Sequence, residues 1–291
     1  MTTPPFFQKL IMSQISIFLL ILFAAFLHAS WNIIIKSIQN SQVAIALQML
    51  IQSIIFFPFL FFVPLPEGIT WIFLIFSLAL HSSYFLILGS MYNRGDLTII
   101  YPVFRGLAPV FVTILSLIFL KDYISPKGLL GIAIIAIGLL LLTKENYRNK
   151  LNIKLLIISI FVSVIISLYT FSDGAGVRSA NNEFTFIIWN FFLGGWVTVS
   201  YVYLKNKQGL FSLELNQYIL IAIASLMSCT AYGIILWSMK HQPIAYVASI
   251  RESSIIMASL ISFIVLNEKV TKIRFMSGII FFIGIYFIYN S

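Results

Sequence analysis

Runs of about 20 apolar residues follow one another along the chain, with short polar breaks between them and few polar residues inside them. A bilayer's hydrocarbon core is about 30 Å thick, so a helix that crosses it needs roughly 20 mostly apolar residues. Apolar length and chain breakers predict spans at 14–35, 42–63, 70–90, 99–119, 126–143, 152–172, 184–204, 216–239, 244–265 and 273–289. The connections at 64–68, 93–96, 121–127, 144–150, 206–208 and 267–272 are short and hold the turn residues, which leaves no room for an extramembrane domain. The first run carries His28 and Asn32 and is followed by further spans, so it reads as the first helix and not as a cleaved signal. Unbroken Ile/Leu/Phe runs suit helices, whereas barrel strands alternate apolar with polar over about ten residues. The expected fold class is an all-α integral membrane protein.

Composition agrees with that pattern. Apolar residues make up 60% of the 291 and charged residues only 9%, where soluble chains carry roughly 25% charged. Several Trp and Tyr fall near the ends of the runs, as interfacial anchors do. The single Cys229 excludes an intrachain disulfide and reads as a small packing residue. The net charge of +9 does not point to nucleic acid, because the Lys and Arg sit in the short loops, where lipid headgroups meet them. Lys9, Lys121, Lys127, Arg178 and Lys240 fall on the face of the N-terminus. The other face holds Lys36, Arg94, Lys144, Arg148, Lys150, Lys154, Lys205, Lys207, Lys269, Lys272 and Arg274. The positive-inside rule then places both termini outside the cytoplasm.

The fourth and fifth spans repeat in the ninth and tenth. At one constant offset Arg105 falls on Arg251, Asp122 on Glu268 and Gly138 on Gly284. Two halves follow, 1–147 and 148–291, each of five spans. An odd number of spans inserts the second half upside down relative to the first, the inverted-repeat plan of many secondary transporters, with a site near the midplane between the halves.

The segment Arg94-Gly95-Asp96-Leu97-Thr98-Ile99-Ile100-Tyr101-Pro102-Val103-Phe104-Arg105-Gly106-Leu107-Ala108-Pro109, ending in Leu120-Lys121-Asp122, resembles the fourth helix of an EamA-type member of the drug/metabolite transporter superfamily. Pro243 to Ser254, followed by Leu266-Asn267-Glu268, is similar to the ninth, and His28-Ala29-Ser30-Trp31-Asn32 with Lys36 to the first. The resemblance covers essentially the whole chain and implies ten transmembrane helices in two inverted five-helix repeats, a multi-pass protein of the cell membrane, of the bacterial inner membrane. The first-half loop departs from the pattern, reading Lys121-Asp122 where the family usually has Gly-Glu.

The polar residues inside the spans form stripes. His28, Asn32 and Lys36 recur at i, i+4 and i+8 on one face of the first helix. Gln48 and Gln52, then Ser77, His81 and Tyr84, then Tyr101 and Arg105 follow on the next three spans. The second half adds Ser163, Ser167 and Thr170, with Asp173 and Arg178 towards the end of that helix. It also brings Trp189 and Asn190, Ser225, Ser228 and Tyr232, and Tyr246, Ser249, Arg251 and Glu252. The serines and Gln48/Gln52 read first as packing between helices. Asp173-Gly174-Ala175-Gly176 is no phosphate loop, since no strand precedes it, and reads as a kink or a close helix contact.

Ionisable groups at these depths are costly and face a cavity or a partner, or else snorkel to the interface. Arg105 and Arg251 either pair across helices, as Arg251 with Asp173, or hold a substrate carboxylate or phosphate. Arg251 and Glu252 are not expected to pair, because neighbours on a helix point about 100° apart. His28 and His81 either donate one bond to a carbonyl or line a cavity as proton-coupling groups, with Asp173 and Glu252 the carboxylates for that role. Trp31, Trp189, Tyr84, Tyr101, Tyr232 and Tyr246 offer an aromatic wall for an amphipathic ligand such as an amino acid. With three His and nine carboxylates no metal or catalytic constellation emerges, and no cofactor is expected. The reading is a secondary-active transporter, exporter or exchanger, working by alternating access; a channel-like facilitator or a lipid-handling membrane protein is the alternative.

Overall fold

The computed structural model describes residues 14–38, 40–92, 97–143, 153–266 and 271–291. The expected loops 93–96 and 144–150, and Glu268 with most of its loop, lie outside the described residues. The chain forms α1 (Gln14–Lys36), α2 (Ser41–Phe56, continued by a 3-10 turn Phe57–Phe62), α3 (Ile69–Tyr92) and α4 (Leu97–Leu115, ending in a π turn Ser116–Leu120). Then follow α5 (Pro126–Leu141), α6 (Ile153–Ser179), α7 (Glu183–Gly194), α8 (Trp196–Phe211) and α9 (Leu215–His241). The last elements are α10 (Ile244–Arg251), α11 (Ser253–Leu266) and α12 (Lys272–Tyr289).

Among the described residues nine helical stretches are long and apolar enough to cross a membrane, and α5 is apolar but shorter, so all ten expected spans are helical. Two spans are interrupted. The seventh breaks at Gly195, between α7 and α8, where a Cβ would stand 2.8 Å from the carbonyl oxygen of Met49 on α2. The ninth breaks at Glu252, between α10 and α11, where Glu252 N–H donates to Ser249 O at 3.2 Å and Ile255 N–H to Glu252 O at 3.0 Å. These i to i+3 bonds tighten one turn. The sixth span runs to Ser179 and not to 172, so Asp173 and Arg178 lie within a helix. Gly174 and Gly176 serve close contact there, a Cβ at either falling about 2.2 Å or 2.1 Å from the side chains of Ile244 and Phe186.

The halves are arranged as inverted repeats. α5 packs along α12, and α2 along the α7–α8 span, each against its equivalent in the other half. The pairing of α1 with α9 has its counterpart in α6 with α3, and that of α6 with α4 in α1 with α10 and α11. Glycines fix the polarity of the α5–α12 crossing. A Cβ on Gly131 would meet Gly284 O at 2.7 Å, while one on Gly138 would meet Ser277 O at 3.3 Å. Position rises along α5 as it falls along α12, so the equivalent helices are antiparallel, as inversion requires.

Each helix divides its faces between lipid and core. On α1, Ile15, Leu19, Phe23 and Phe26 are exposed at spacings of three and four, while Ile17, Ile21, Ala24 and Ala25 are buried. With lipid as solvent the exposed row carries no hydrophobic penalty. Asn40 and Ser125 cap α2 and α5, accepting from Val43 N–H at 3.2 Å and Gly128 N–H at 3.0 Å, and Pro126 opens α5 where its missing N–H costs nothing.

Candidate functional site

The stripes of both halves converge on one cavity of about 1230 Å³, counted to the surrounding atoms and including its open mouth. Lys36 and Ser41, flanking the α1–α2 turn, stand at the mouth. His28, Trp31 and Asn32 line it from α1, His81 and Tyr84 from α3, and Tyr101 and Arg105 from α4. Tyr232 and Arg251 complete the predicted set that the structure brings together.

At one wall the repeat-related arginines meet around a single carboxylate. Arg105 Nε lies 2.7 Å from Glu252 Oε2, and Arg251 Nη2 lies 3.6 Å from Glu252 Oε1. All three side chains are buried. The tightened turn at Glu252 makes this possible: it corrects both the expectation that Arg251 and Glu252 would not pair and the suggested pairing of Arg251 with Asp173. Arg105 also donates from Nη2 to Ser254 Oγ at 3.3 Å and stands 5.8 Å from the centre of the Tyr101 ring.

Asp173 anchors another wall without lining the cavity. Its Oδ1 accepts from Ser77 Oγ and, at 3.3 Å, from Asn190 Nδ2; its Oδ2 accepts from Tyr232 OH and, at 3.0 Å, from His81 Nε2. Because a carboxylate only accepts, the His81 proton sits on Nε2. The His81 ring stacks on Tyr169 with centroids 4.1 Å apart.

Two predicted wall residues lie elsewhere. Trp189 is turned about 100° from Asn190, its neighbour in sequence. Asn190 faces the cavity, so Trp189 packs edge-on against Trp71 instead, with centroids 5.5 Å apart. Tyr246 sits five residues before Arg251, beyond a full turn, and its hydroxyl accepts from Ser125 N–H at 3.1 Å on the opposite face. Ser163 and Ser167 bond back to Ile160 O and Val164 O, at 2.7 Å and 2.8 Å, and stay in the helix packing. Gln48 and Gln52, read first as packing, do line the cavity, and Tyr169 lines it without having been singled out. Its place one turn before Asp173 on α6 was the available signal.

The face opposite the mouth is sealed. Arg178 Nη1 lies 2.6 Å from Asp122 Oδ1, while Arg178 donates from Nε to Met239 O at 2.7 Å and from Nη2 to Gln242 O at 2.8 Å. Asp122 Oδ2 accepts from Ser116 Oγ at 2.6 Å and from Ile244 N–H at 3.2 Å, placing an anion on the N-terminus of α10. Lys240 Nζ reaches Ala180 O at 3.1 Å and lies 3.9 Å from Glu183.

Ten apolar helical spans in two inverted halves, with a polar-walled cavity between them, define a multi-pass membrane protein. The model of the EamA-like transporter family matches residues 15–144 and again 153–290, and the chain belongs to that family. An uncharacterized transporter of Archaeoglobus fulgidus is 34% identical over 101 residues, 35% of this chain and 34% of that protein, so the match spans about a third of the relative's length. A protein of known crystal structure shares the fold with a TM-score of 0.76 at 12% identity, over 95% of this chain and 98% of that one.

Proposed function

We propose that the chain is a secondary-active carrier of a small amphipathic metabolite such as an amino acid, working by alternating access. The observation that carries this reading is a polar-walled cavity between inverted halves that reaches Lys36 and Ser41 at one face, with the Arg178–Asp122 pair bridging the halves at the other. A pore would be open at both. Rocking one half on the other exchanges which face is sealed, and inverted repeats supply two related conformations for it. Trp31, Tyr84, Tyr101 and Tyr169 offer aromatic faces to an apolar body, while the charged clusters at Arg251 and His81 fix its polar end.

The Lys- and Arg-rich face is the face of the mouth, so under the positive-inside rule the cavity opens to the cytoplasm and both termini lie outside. The groups proposed to exchange a proton are His28, His81, Asp173 and Glu252. The membrane proposed is the bacterial inner membrane.

Counterflow in proteoliposomes tests the carrier. Saturable exchange of internal for external substrate is expected, and flux proportional to gradient without exchange would select the channel-like facilitator. An imposed pH gradient tests coupling: equal rates with and without it would leave facilitated diffusion.

A further inference from the structure

Arg105 and Arg251 occupy the same register in the two repeats, yet their surroundings differ. Arg105 is held on three sides, by Glu252 at 2.7 Å, by Ser254 at 3.3 Å and by the Tyr101 ring at 5.8 Å. Arg251 reaches Glu252 only at 3.6 Å, longer than a hydrogen bond, and has no counterpart to the Ser254 bond; the Nε atoms of both arginines lack a hydrogen-bond partner among the described residues, so the difference lies in the ion-pair distance and in Ser254. The inverted symmetry is broken at one position. Glu252 stands where the first repeat has Gly106, so two guanidiniums share one carboxylate and one positive charge is left over.

That excess charge is 4% exposed and lines the cavity. A buried guanidinium short of acceptors calls for an anion with two oxygens, which its planar fork matches. The indole Nε1 of Trp31, on the cavity wall, also lacks a partner among the described residues. Asp173 offers no free seat for a cation, because each of its oxygens already accepts from two donors.

We propose that the cavity takes a carboxylate-bearing organic monoanion or zwitterion, its carboxylate seated on Arg251, and that Arg105 instead holds Glu252 in place. This rests on the carrier reading for its biological sense, but the binding site stands or falls separately. An ammonium group on the ligand is tolerated and is not what the site recognises. Arg105 is a positioning residue, and its removal lowers stability without changing which ligand charge is preferred.

The test uses the purified full chain and three sets matched in carbon skeleton: propanoate, alanine and ethylamine; 4-methylpentanoate, leucine and isoamylamine; 3-phenylpropanoate, phenylalanine and phenethylamine. Thermal stabilisation is read at neutral pH, since a ligand of the folded state raises the melting temperature by mass action. In at least one set the acid and the amino acid stabilise and the amine does not. Arg251→Gln weakens that binding about 30-fold or more, and Arg251→Lys, which keeps the charge and loses the fork, weakens it less. Arg105→Gln melts earlier and keeps the preference for the acid.

The proposal is overturned if no acid binds, if an amine stabilises as well as its acid, or if an amino acid binds where its deaminated acid does not. It is also overturned if both Arg251 variants keep the wild-type affinity. Loss of counterflow with the acid still stabilising would remove the carrier and leave the site; counterflow of amines alone would do the reverse.

Discussion

Arg178 and Asp122 join the end of α6 to the loop before α5, with Nη1 2.6 Å from Oδ1, on the face opposite the cavity's mouth. Both groups reach further: the guanidinium to Met239 O and Gln242 O, the carboxylate to the N-terminus of α10. One ion pair thus ties together the two halves that, under the proposed alternating access, part for this face to open. The pair is partly exposed, which discounts its Coulomb energy, but its charge-assisted bonds are each worth about 1.5–3 kcal/mol when left unreplaced. Under that proposal Arg178→Gln is expected to shift the balance of the two conformations by about 1–3 kcal/mol, roughly five- to 150-fold. In a Cys229→Ser background a cysteine at Ser228, on the cavity wall, should react with an impermeant thiol reagent only from the mouth side. Adding Arg178→Gln should make it reactive from the other side too. Unchanged protection there would mean that the pair does not hold the face closed.

Glu252 is the sole carboxylate between two buried arginines, and removing one member of a buried ion pair costs about 3–5 kcal/mol because it strands the rest. Glu252→Gln is expected to lower stability more than Arg251→Gln, since the first strands two cations and the second leaves Glu252 with Arg105 at 2.7 Å. Thermal melts of the two variants in one detergent decide the order. The reverse order would contradict the assignment of Arg105 as the carboxylate's principal partner.

How much of this was legible in the chain depends on what the bilayer demands. Spans follow from length and apolarity alone, so all ten were found, and the inversion followed from their odd number per half. His28 with Asn32 and Tyr101 with Arg105 were legible as residues lining one cavity because helical spacing put each pair on one face. Polarity does not say whether that face meets a cavity or a neighbour, which is why Gln48 and Gln52 were undervalued and the serines of α6 were not separable from them. Trp189 was assigned with Asn190, although adjacent residues cannot face the same way on an unbroken helix. The meeting of Arg251 with Glu252 needed a one-turn tightening of the ninth span that no residue type there announces.

The α5–α12 crossing depends on two missing side chains. A Cβ on Gly131 would stand 2.7 Å from Gly284 O, and one on Gly284 the same distance from Gly131 O. Backbone cannot yield as a side chain does, so Gly131→Ala and Gly284→Ala should each cost about 1–3 kcal/mol by overpacking. Gly278, also on α12, has its nearest neighbour, a methyl of Ile256, at 3.8 Å. With no such contact, Gly278→Ala is expected to gain up to about 1 kcal/mol from helix propensity. Chemical or thermal unfolding of the three variants side by side checks the contrast, and a gain at all three, as helix propensity alone would give, would show that contact at Gly131 and Gly284 does not set the cost.

The last prediction comes from the first-half loop, a place where the chain departs from the pattern its resemblance leads one to expect. Lys121 ends the π turn of α4 with φ 54° and ψ 33°, a left-handed conformation, and is the one non-glycine residue at positive φ among the described residues. For a residue with a Cβ that conformation costs about 1–2 kcal/mol. Glycine, which the resemblance leads one to expect here, adopts it freely but gives up about 0.5–1 kcal/mol of backbone entropy on folding. The difference favours glycine by up to about 1.5 kcal/mol. The strain persists because the residue after it is fixed: Asp122 is bound to Arg178, Ser116 and Ile244 at once. Lys121→Gly should therefore raise the melting temperature and leave the Asp122 contacts and transport unchanged. Lys121→Ala separates backbone strain from the lost ammonium, because alanine removes the charge and keeps the Cβ. If alanine stabilised as much as glycine, the lysine side chain and not its backbone conformation would be the source of the cost.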